Sequence, residues 1–231
     1  MKGLVLHSGG LDSTVVLALA QIECPDGLIS LSFSYGQKHE RELRAAKILS
    51  EHYGAKHLEI SVGPEIFLGS GSSLLKSEGK SLPQASYEEL RAQEGPSPTY
   101  VPFRNGIFLS LASAAALSLG YEMVYFGAHA DDAHNWAYPD CTPEFIGSMS
   151  AAAYIGTYSR VRLKAPFQHL TKAEIVRRGV ELSVPFVLTY SCYEGRELHC
   201  GRCPTCLSRK EAFRQALVPD PTQYIEVLNS Y

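Results

Sequence analysis

An excess of positive charge is missing from this sequence. Its 21 Lys and Arg stand against 24 Asp and Glu, a formal net charge of −3. A protein whose main task is gripping a nucleic-acid backbone carries the opposite balance, although a local site for a small anion remains compatible with it. Long apolar runs are also missing. The longest uncharged one, 107–119, has 13 residues, against roughly 20 needed to span a bilayer. The opening Met1-Lys2-Gly3-Leu4-Val5-Leu6 lacks the apolar stretch and cleavage site of a secretory signal. These absences lead to the expectation of a cytoplasmic protein without membrane contact. Thiols stay reduced in that compartment, so the six cysteines need an explanation other than a disulfide framework.

What is present is a foldable α/β pattern. The chain has 231 residues, 45% of them hydrophobic, which at roughly 150 residues per domain means one large domain or one with an appendage. Residues 4–6 read as a buried strand leading into His7-Ser8-Gly9-Gly10, and 13–20 as a helix with Asp12 or Ser13 near its cap. A second strand is expected at 28–33, a helix at 40–53 stopped by Gly54, and an alternating strand at 56–62. Strands separated by helices of this length predict a doubly wound parallel sheet. Fourteen of the thirty residues in 69–98 are Gly, Ser or Pro, a composition expected of a lid or a flexible insertion. Regular structure resumes with an apolar helix over 106–119, a strand at 123–126 and a helix over 142–155. Thr171-Lys172-Ala173-Glu174 is a capping box, opening a helix that Gly179 is expected to end. The expected organisation is an α/β domain over 1–189 with a C-terminal segment, 190–231, packed on it.

Two motifs carry chemistry. In Ser8-Gly9-Gly10-Leu11-Asp12-Ser13-Thr14, two glycines allow a tight turn that exposes consecutive N–H groups, and a helix N-terminus follows. Such a turn suits phosphate or pyrophosphate, with hydroxyls from Ser8, Ser13 and Thr14 and with Asp12 able to hold Mg²⁺. A plain strand-to-helix turn is the alternative. The second motif is Cys192-x7-Cys200-x2-Cys203-x2-Cys206. Four thiolates at this spacing can close a tetrahedral zinc site with no open position, which would be structural; a redox pair or unrelated buried cysteines are the alternatives. Arg202, Arg209 and Lys210 stand nearby as counter-charges, while Cys24 and Cys141 have no assigned partner.

The first motif, SGGxDS after the first strand, resembles the PP-loop of the N-type ATP pyrophosphatases, which cleave ATP between its α- and β-phosphates. Further stretches narrow the resemblance: Phe33 to His39, Tyr100 to Asn105, Tyr138 to Phe145 and Thr189 to Tyr193, then the cysteines. Together they are similar to the 7-cyano-7-deazaguanine synthase family of the queuosine pathway, from His7 to about Phe213. Ser34 stands where that family commonly has Asp, Phe103 where it has a small residue, and His134-Asn135-Trp136-Ala137 also departs from its pattern.

The resemblance implies a Rossmann-like PP-loop ATPase fold with a C-terminal zinc-binding segment. It also implies an ATP-dependent nitrile-forming ligase that adenylates 7-carboxy-7-deazaguanine, lets ammonia displace AMP to give an amide, and activates that amide with a second ATP. The cofactors expected are ATP, Mg²⁺ and structural Zn²⁺, and the expected assembly is a homodimer needing no nucleic acid. ATP is expected on His7, Ser8, Gly9, Gly10, Leu11, Asp12, Ser13 and Thr14. Asp12, Ser13, Arg104 and Lys172 are expected to act in catalysis, and Arg104, Asn105, Tyr138 and Asp140 to bind substrate. On the residues alone, Asn105 reads equally as a helix cap and Lys172 as an exposed first-turn lysine. His129, Asp131, Asp132 and His134 read as a polar loop lining the site rather than as a second metal centre. Two rival functions remain at this level: a PP-loop tRNA-modifying sulfur transferase, and a non-catalytic zinc-ribbon binding module.

Overall fold

The computed structural model describes residues 1–92, 97–134 and 137–225. Residues 93–96 of the insertion, together with Asn135 and Trp136 of the departing stretch, lie outside the described residues.

Strand β1 (Lys2–Leu6) is buried from Gly3 onward, so both of its faces must be covered. It occupies the centre of a parallel five-stranded sheet in the order β3-β2-β1-β4-β5. The other strands are β2 (Gly27–Ser34), β3 (Lys56–Ser61), β4 (Met123–Tyr125) and β5 (Arg162–Lys164). The chain steps outward from β1 to β3, then returns to the other side of β1, and that reversal opens a crevice beyond the carboxyl ends of β1 and β4. The doubly wound expectation is met.

Helices cover both faces, in chain order α1 (Leu11–Glu23), α2 (Arg41–His52), α3 (Tyr87–Arg91), α4 (Arg104–Leu119), α5 (Ala130–Ala133), α6 (Pro143–Gly156), α7 (Lys172–Glu181) and α8 (Pro204–Ala216). On one face Val15 and Val16 of α1 meet Ile175 and Val176 of α7, and Phe213 of α8. On the other, Phe108, Leu109 and Ala112 of α4 and Ile146 of α6 pack on Leu4, Leu6, Ile29 and Leu31.

Two local expectations need correction. Helix α1 begins at Leu11 with Gly10 as its N-cap, so Asp12 and Ser13 lie inside the first turn rather than at the cap. Gly179 does not end α7, which continues to Glu181. A Cβ on Gly179 would stand 2.3 Å from the Phe186 ring and 3.0 Å from Val15; the glycine is there because α7 packs closely, not because the helix stops. The 69–98 segment, where described, carries the short helix α3 and is otherwise irregular. Leu74 and Leu75 join Phe67 and Val101 in a small apolar cluster. Main-chain bonds from Lys38 N–H to the Leu74 carbonyl and from Lys76 N–H to the Gly36 carbonyl, both 3.0 Å, fasten it to the rim of the crevice.

The C-terminal segment closes the same rim. Tyr190 N–H donates to the Gly9 carbonyl at 2.9 Å. Arg209, fully buried, donates to the Asp220 carboxylate, the Thr189 hydroxyl and the Phe186 carbonyl at 3.2, 2.7 and 3.1 Å. A buried guanidinium is tolerated only when its donors are met in this way.

Candidate active site

A cavity of about 280 Å³ fills the crevice, and its wall includes Ser8, Gly10, Asp12, Ser13, Arg104 and Lys172. The loop at its floor is wired by its own side chains. The Thr14 and Ser13 hydroxyls donate to the Gly10 carbonyl at 2.6 and 3.3 Å. Ser8 N–H donates to Ser13 Oγ, and Gly10 N–H to Ser8 Oγ, both at 3.2 Å. Gly9 has φ +83°, and a Cβ there would lie 2.4 Å from the Glu42 carbonyl oxygen. The glycine is required both by that conformation and by main-chain contact with α2.

His7 braces the loop from beneath. Its Nδ1 meets Ser30 Oγ at 2.8 Å and its Nε2 meets Thr14 Oγ1 at 3.2 Å. Burial, helped by nearby His57, lowers its pKa to about 3, so the ring is neutral and its reach to the loop runs through Thr14.

Asp12 points from the first turn of α1 toward the opposite wall. Its Oδ2 lies 3.1 Å from Lys172 Nζ and 3.8 Å from His129 Nε2. Burial alone would push this carboxyl upward, but Lys172 and His129 hold it below the usual carboxylate range. Lys172 is likewise opposed by burial yet raised by Asp12 and Asp132. It is thus a half-hidden ammonium facing the loop, not an exposed first-turn lysine. Its main-chain N–H is capped by Asp131 at 2.9 Å. Asp12 Oδ1 is buried with no hydrogen-bond partner among the described residues, an acceptor fitted to a cation. Of the polar loop, His129 and Asp132 line the cavity, with His129 Nε2 3.4 Å from Asp132.

The other end of the cavity is built from separate segments. Arg104, at the start of α4, donates to Tyr35 Oη at 3.1 Å. Burial opposes its charge, while Tyr35 and Asp140 hold its pKa above the ordinary value. Phe33, Phe108 and Tyr193 add aromatic walls, and Tyr193 Oη meets Tyr87 Oη of the insertion at 2.8 Å. Glu42 of α2 also lines this end; its place in a charged helix had given it no distinction in the sequence.

Asn105 lines the cavity but does not cap α4, whose N-cap is Phe103. Its side-chain amide donates to the Asp140 carbonyl and to Cys141 Sγ, both at 3.2 Å. The Asp140 carboxylate accepts from Asn105 N–H at 2.9 Å. Asp140 and Tyr138 therefore stand behind the wall, with Tyr138 bonded to Thr99 and Ser97, and neither lines the cavity. Phe103 sits at φ +53°, a left-handed backbone that suits a small residue, and its ring covers Gly106. Ser34 ends β2 beside Ser61, outside the cavity wall.

The four cysteines converge. The Sγ atoms of Cys192, Cys200, Cys203 and Cys206 all lie within 4.8 Å of one another and are buried; four sulfurs around one zinc would stand about 3.8 Å apart. Main-chain N–H groups of Cys200 and Cys203 donate to Cys192 Sγ and Cys200 Sγ at 3.3 Å. Hydrogen bonds from Cys192 and Cys206 hold the Cys203 thiol well below its ordinary pKa. This donor set could hold a metal ion. The expected counter-charges are engaged elsewhere: Arg202 with Glu194, Lys210 with the Gly201 carbonyl, and Arg209 as described above. Cys24 contacts Tyr125 Oη at 3.4 Å, and Cys141 accepts from Asn105.

The chain is similar to known proteins along nearly its whole length. Residues 2–217 match the profile of the family described as "Queuosine biosynthesis protein QueC". The 7-cyano-7-deazaguanine synthase of Marinomonas sp. (strain MWYL1) is 39% identical over 223 residues, covering 96% of this chain and 98% of that protein. The synthase of Thermoplasma acidophilum is 40% identical over 227 residues, 96% and 92% of the two chains. Among solved structures, the U34-tRNA thiolase NcsA from Methanococcus maripaludis, with its [4Fe-4S] cluster, superposes with a TM-score of 0.51 at 16% identity. That match takes in 92% of this chain and 64% of the thiolase, and it speaks for the fold alone. With a match along nearly its whole length, this chain belongs to the QueC family of queuosine biosynthesis enzymes.

Proposed function

We propose that the enzyme converts 7-carboxy-7-deazaguanine, ammonia and ATP into 7-cyano-7-deazaguanine through an adenylate and an amide, releasing AMP and pyrophosphate. The observation that carries this reading is the meeting, in one cavity, of the glycine loop and Lys172 with Arg104. A carboxylate oxygen leaves poorly until it is made part of a phosphoanhydride. Loop N–H groups, the α1 N-terminus and Lys172 are placed to take up the charge that grows on departing pyrophosphate. Asp12 would hold Mg²⁺, which adds Lewis-acid stabilisation of those phosphates. Arg104 pairs with the substrate carboxylate, and Asn105 lines its path. Tyr138 and Asp140 act in this reading through Thr99 and Asn105 rather than on the base. In the second round the amide oxygen attacks ATP, and loss of AMP and a proton leaves the nitrile.

The cysteine site holds Zn²⁺ as a structural ion and sets the position of Ser191 and Tyr193, both in the cavity wall. Small-molecule substrates need no nucleic-acid partner, in keeping with the net charge of −3; the family resemblance adds a cytoplasmic homodimer. Sulfur transfer needs an accessible thiol, and all six cysteines are buried.

The test is to incubate purified protein with 7-carboxy-7-deazaguanine, Mg²⁺-ATP and ammonium chloride and to read the products by mass spectrometry. Nitrile, AMP and pyrophosphate together are expected. Adenylation of a different acid, with none of this one, would overturn the substrate assignment.

A further inference from the structure

The cavity holds two groups of opposite sign that do not neutralise each other. Arg104 donates its hydrogen bond to Tyr35 Oη. Glu42 lies close enough for the guanidinium to act on its carboxyl, yet among the described residues no ion pair or hydrogen bond joins the two. The Glu42 carboxylate is half-buried and lines the cavity, and among the described residues no donor is bonded to it. Its position is fixed by its main chain, because the Glu42 carbonyl and the Ala46 nitrogen close directly on Gly9 of the phosphate loop. A carboxylate substrate belongs at Arg104; a cationic or amine reactant belongs at Glu42.

We infer that Glu42 binds the incoming ammonium and takes its proton, so that ammonia is released beside the acyl carbon; this rests on the reaction proposed above. Ammonium gives one proton to the Glu42 carboxylate. The freed nitrogen lone pair forms the C–N bond, the C–O bond to the AMP phosphate breaks, and its electron pair leaves with AMP. The added nitrogen sheds its extra proton to solvent, and Glu42 returns its own proton to solvent before the next turn. Burial pushes the Glu42 carboxyl up to about 7, against the pull of Arg104, which matches the acceptor to neutral pH.

The groups facing Glu42 are few. Arg104 approaches from α4, and Tyr193 from the cysteine-bearing segment. Lys38 and His39 line the cavity from its own connection, with burial lowering His39 to about 4. Asp12 and Lys172 share the cavity but are bonded to each other, and His57 of β3 meets the far end of α2 at Ser50.

The test compares wild type with Glu42→Gln in two assays. ATP–pyrophosphate exchange supported by 7-carboxy-7-deazaguanine reports adenylation, and it is expected to fall at most a few-fold. The ammonium-dependent step is expected to fall about 10²-fold. The ratio of wild-type to variant rate, which cancels the shared ammonia equilibrium, should rise with pH through about 7. Hydroxylamine, already neutral at that pH, should restore the variant to near the wild-type rate of acyl transfer. Equal ammonium dependence in both proteins, or a variant that hydroxylamine does not rescue, overturns the role of Glu42 alone. Absence of exchange in the wild type overturns the substrate reading and this inference with it.

Discussion

The two ends of the cavity are built in contrasting ways. In the proposed reading the phosphate end comes from one strand–turn–helix, Ser8 to Thr14, joined by Lys172 of α7. The acyl end of that reading is lined by Tyr35 after β2, Tyr87 from the insertion, Arg104 on α4 and Tyr193 beside the cysteines, with Glu42 of α2 at its margin for the amine. A site made from contiguous backbone can be recognised in a short motif, because the turn and the chemistry are the same residues. An assembled site leaves only scattered side chains, each with an ordinary alternative explanation.

That contrast can be broken most forcefully at Gly9, where the ends touch. Gly9→Ala puts a Cβ 2.4 Å from the Glu42 carbonyl oxygen at φ +83°, a clash between backbones that no side-chain rotation relieves. Loss of ATP–pyrophosphate exchange together with a large fall in stability is expected. An active, stable variant would mean that loop and helix separate freely.

Removing one of the four clustered cysteines probes the acyl end from a distance. Cys200→Ser should lower stability by ~3 kcal/mol, a Tm drop of roughly 6–12 °C for a chain of this size, and a strong zinc chelator should act on the wild type in the same direction. Substrate affinity should weaken more than ATP affinity, since Ser191 and Tyr193 follow the cysteines while the loop is held by Thr14 and His7. A calorimetric scan with and without chelator checks the first part, and equal weakening of both ligands would blur the contrast.

A smaller effect sits beneath the phosphate end. His7 has its pKa lowered from 6.5 to about 3 by burial, so the unfolded chain takes up this proton before the folded one. Its contribution to stability is complete above pH 6.5 and is lost as pH falls toward 3. His7→Asn should therefore show a shallower loss of Tm between pH 7 and pH 5 than wild type. Identical slopes would show that the ring is not held neutral under the loop.

The same contrast explains what could be read from the sequence. Buried apolar strands such as β1 and β2, and capped helices such as α7, announce themselves through period and composition. β5 is three residues, Arg162–Lys164, too short for a pattern, and it exists because β4 offers it an edge. Gly179 carries the same letter whether a helix stops or a phenylalanine needs room, and only packing decides. Zinc spacing brought the four cysteines together on paper as they are in space. The resemblance implies that Asp140 binds substrate, and its motif does not reveal that its carboxylate accepts from Asn105 N–H at 2.9 Å behind the cavity wall. Glu42 carries no signal in the sequence, since a glutamate among Glu40, Arg41 and Arg44 looks like a solvated face.

The most direct measurement is calorimetric binding of ATP and of 7-carboxy-7-deazaguanine, each alone, to Lys172→Met and Arg104→Met. Two distinct ends predict that Lys172→Met loses ATP affinity at least tenfold and keeps the acid, while Arg104→Met does the reverse. Loss of both ligands in both variants, with folding intact, would contradict the division of the cavity into a phosphate end and an acyl end.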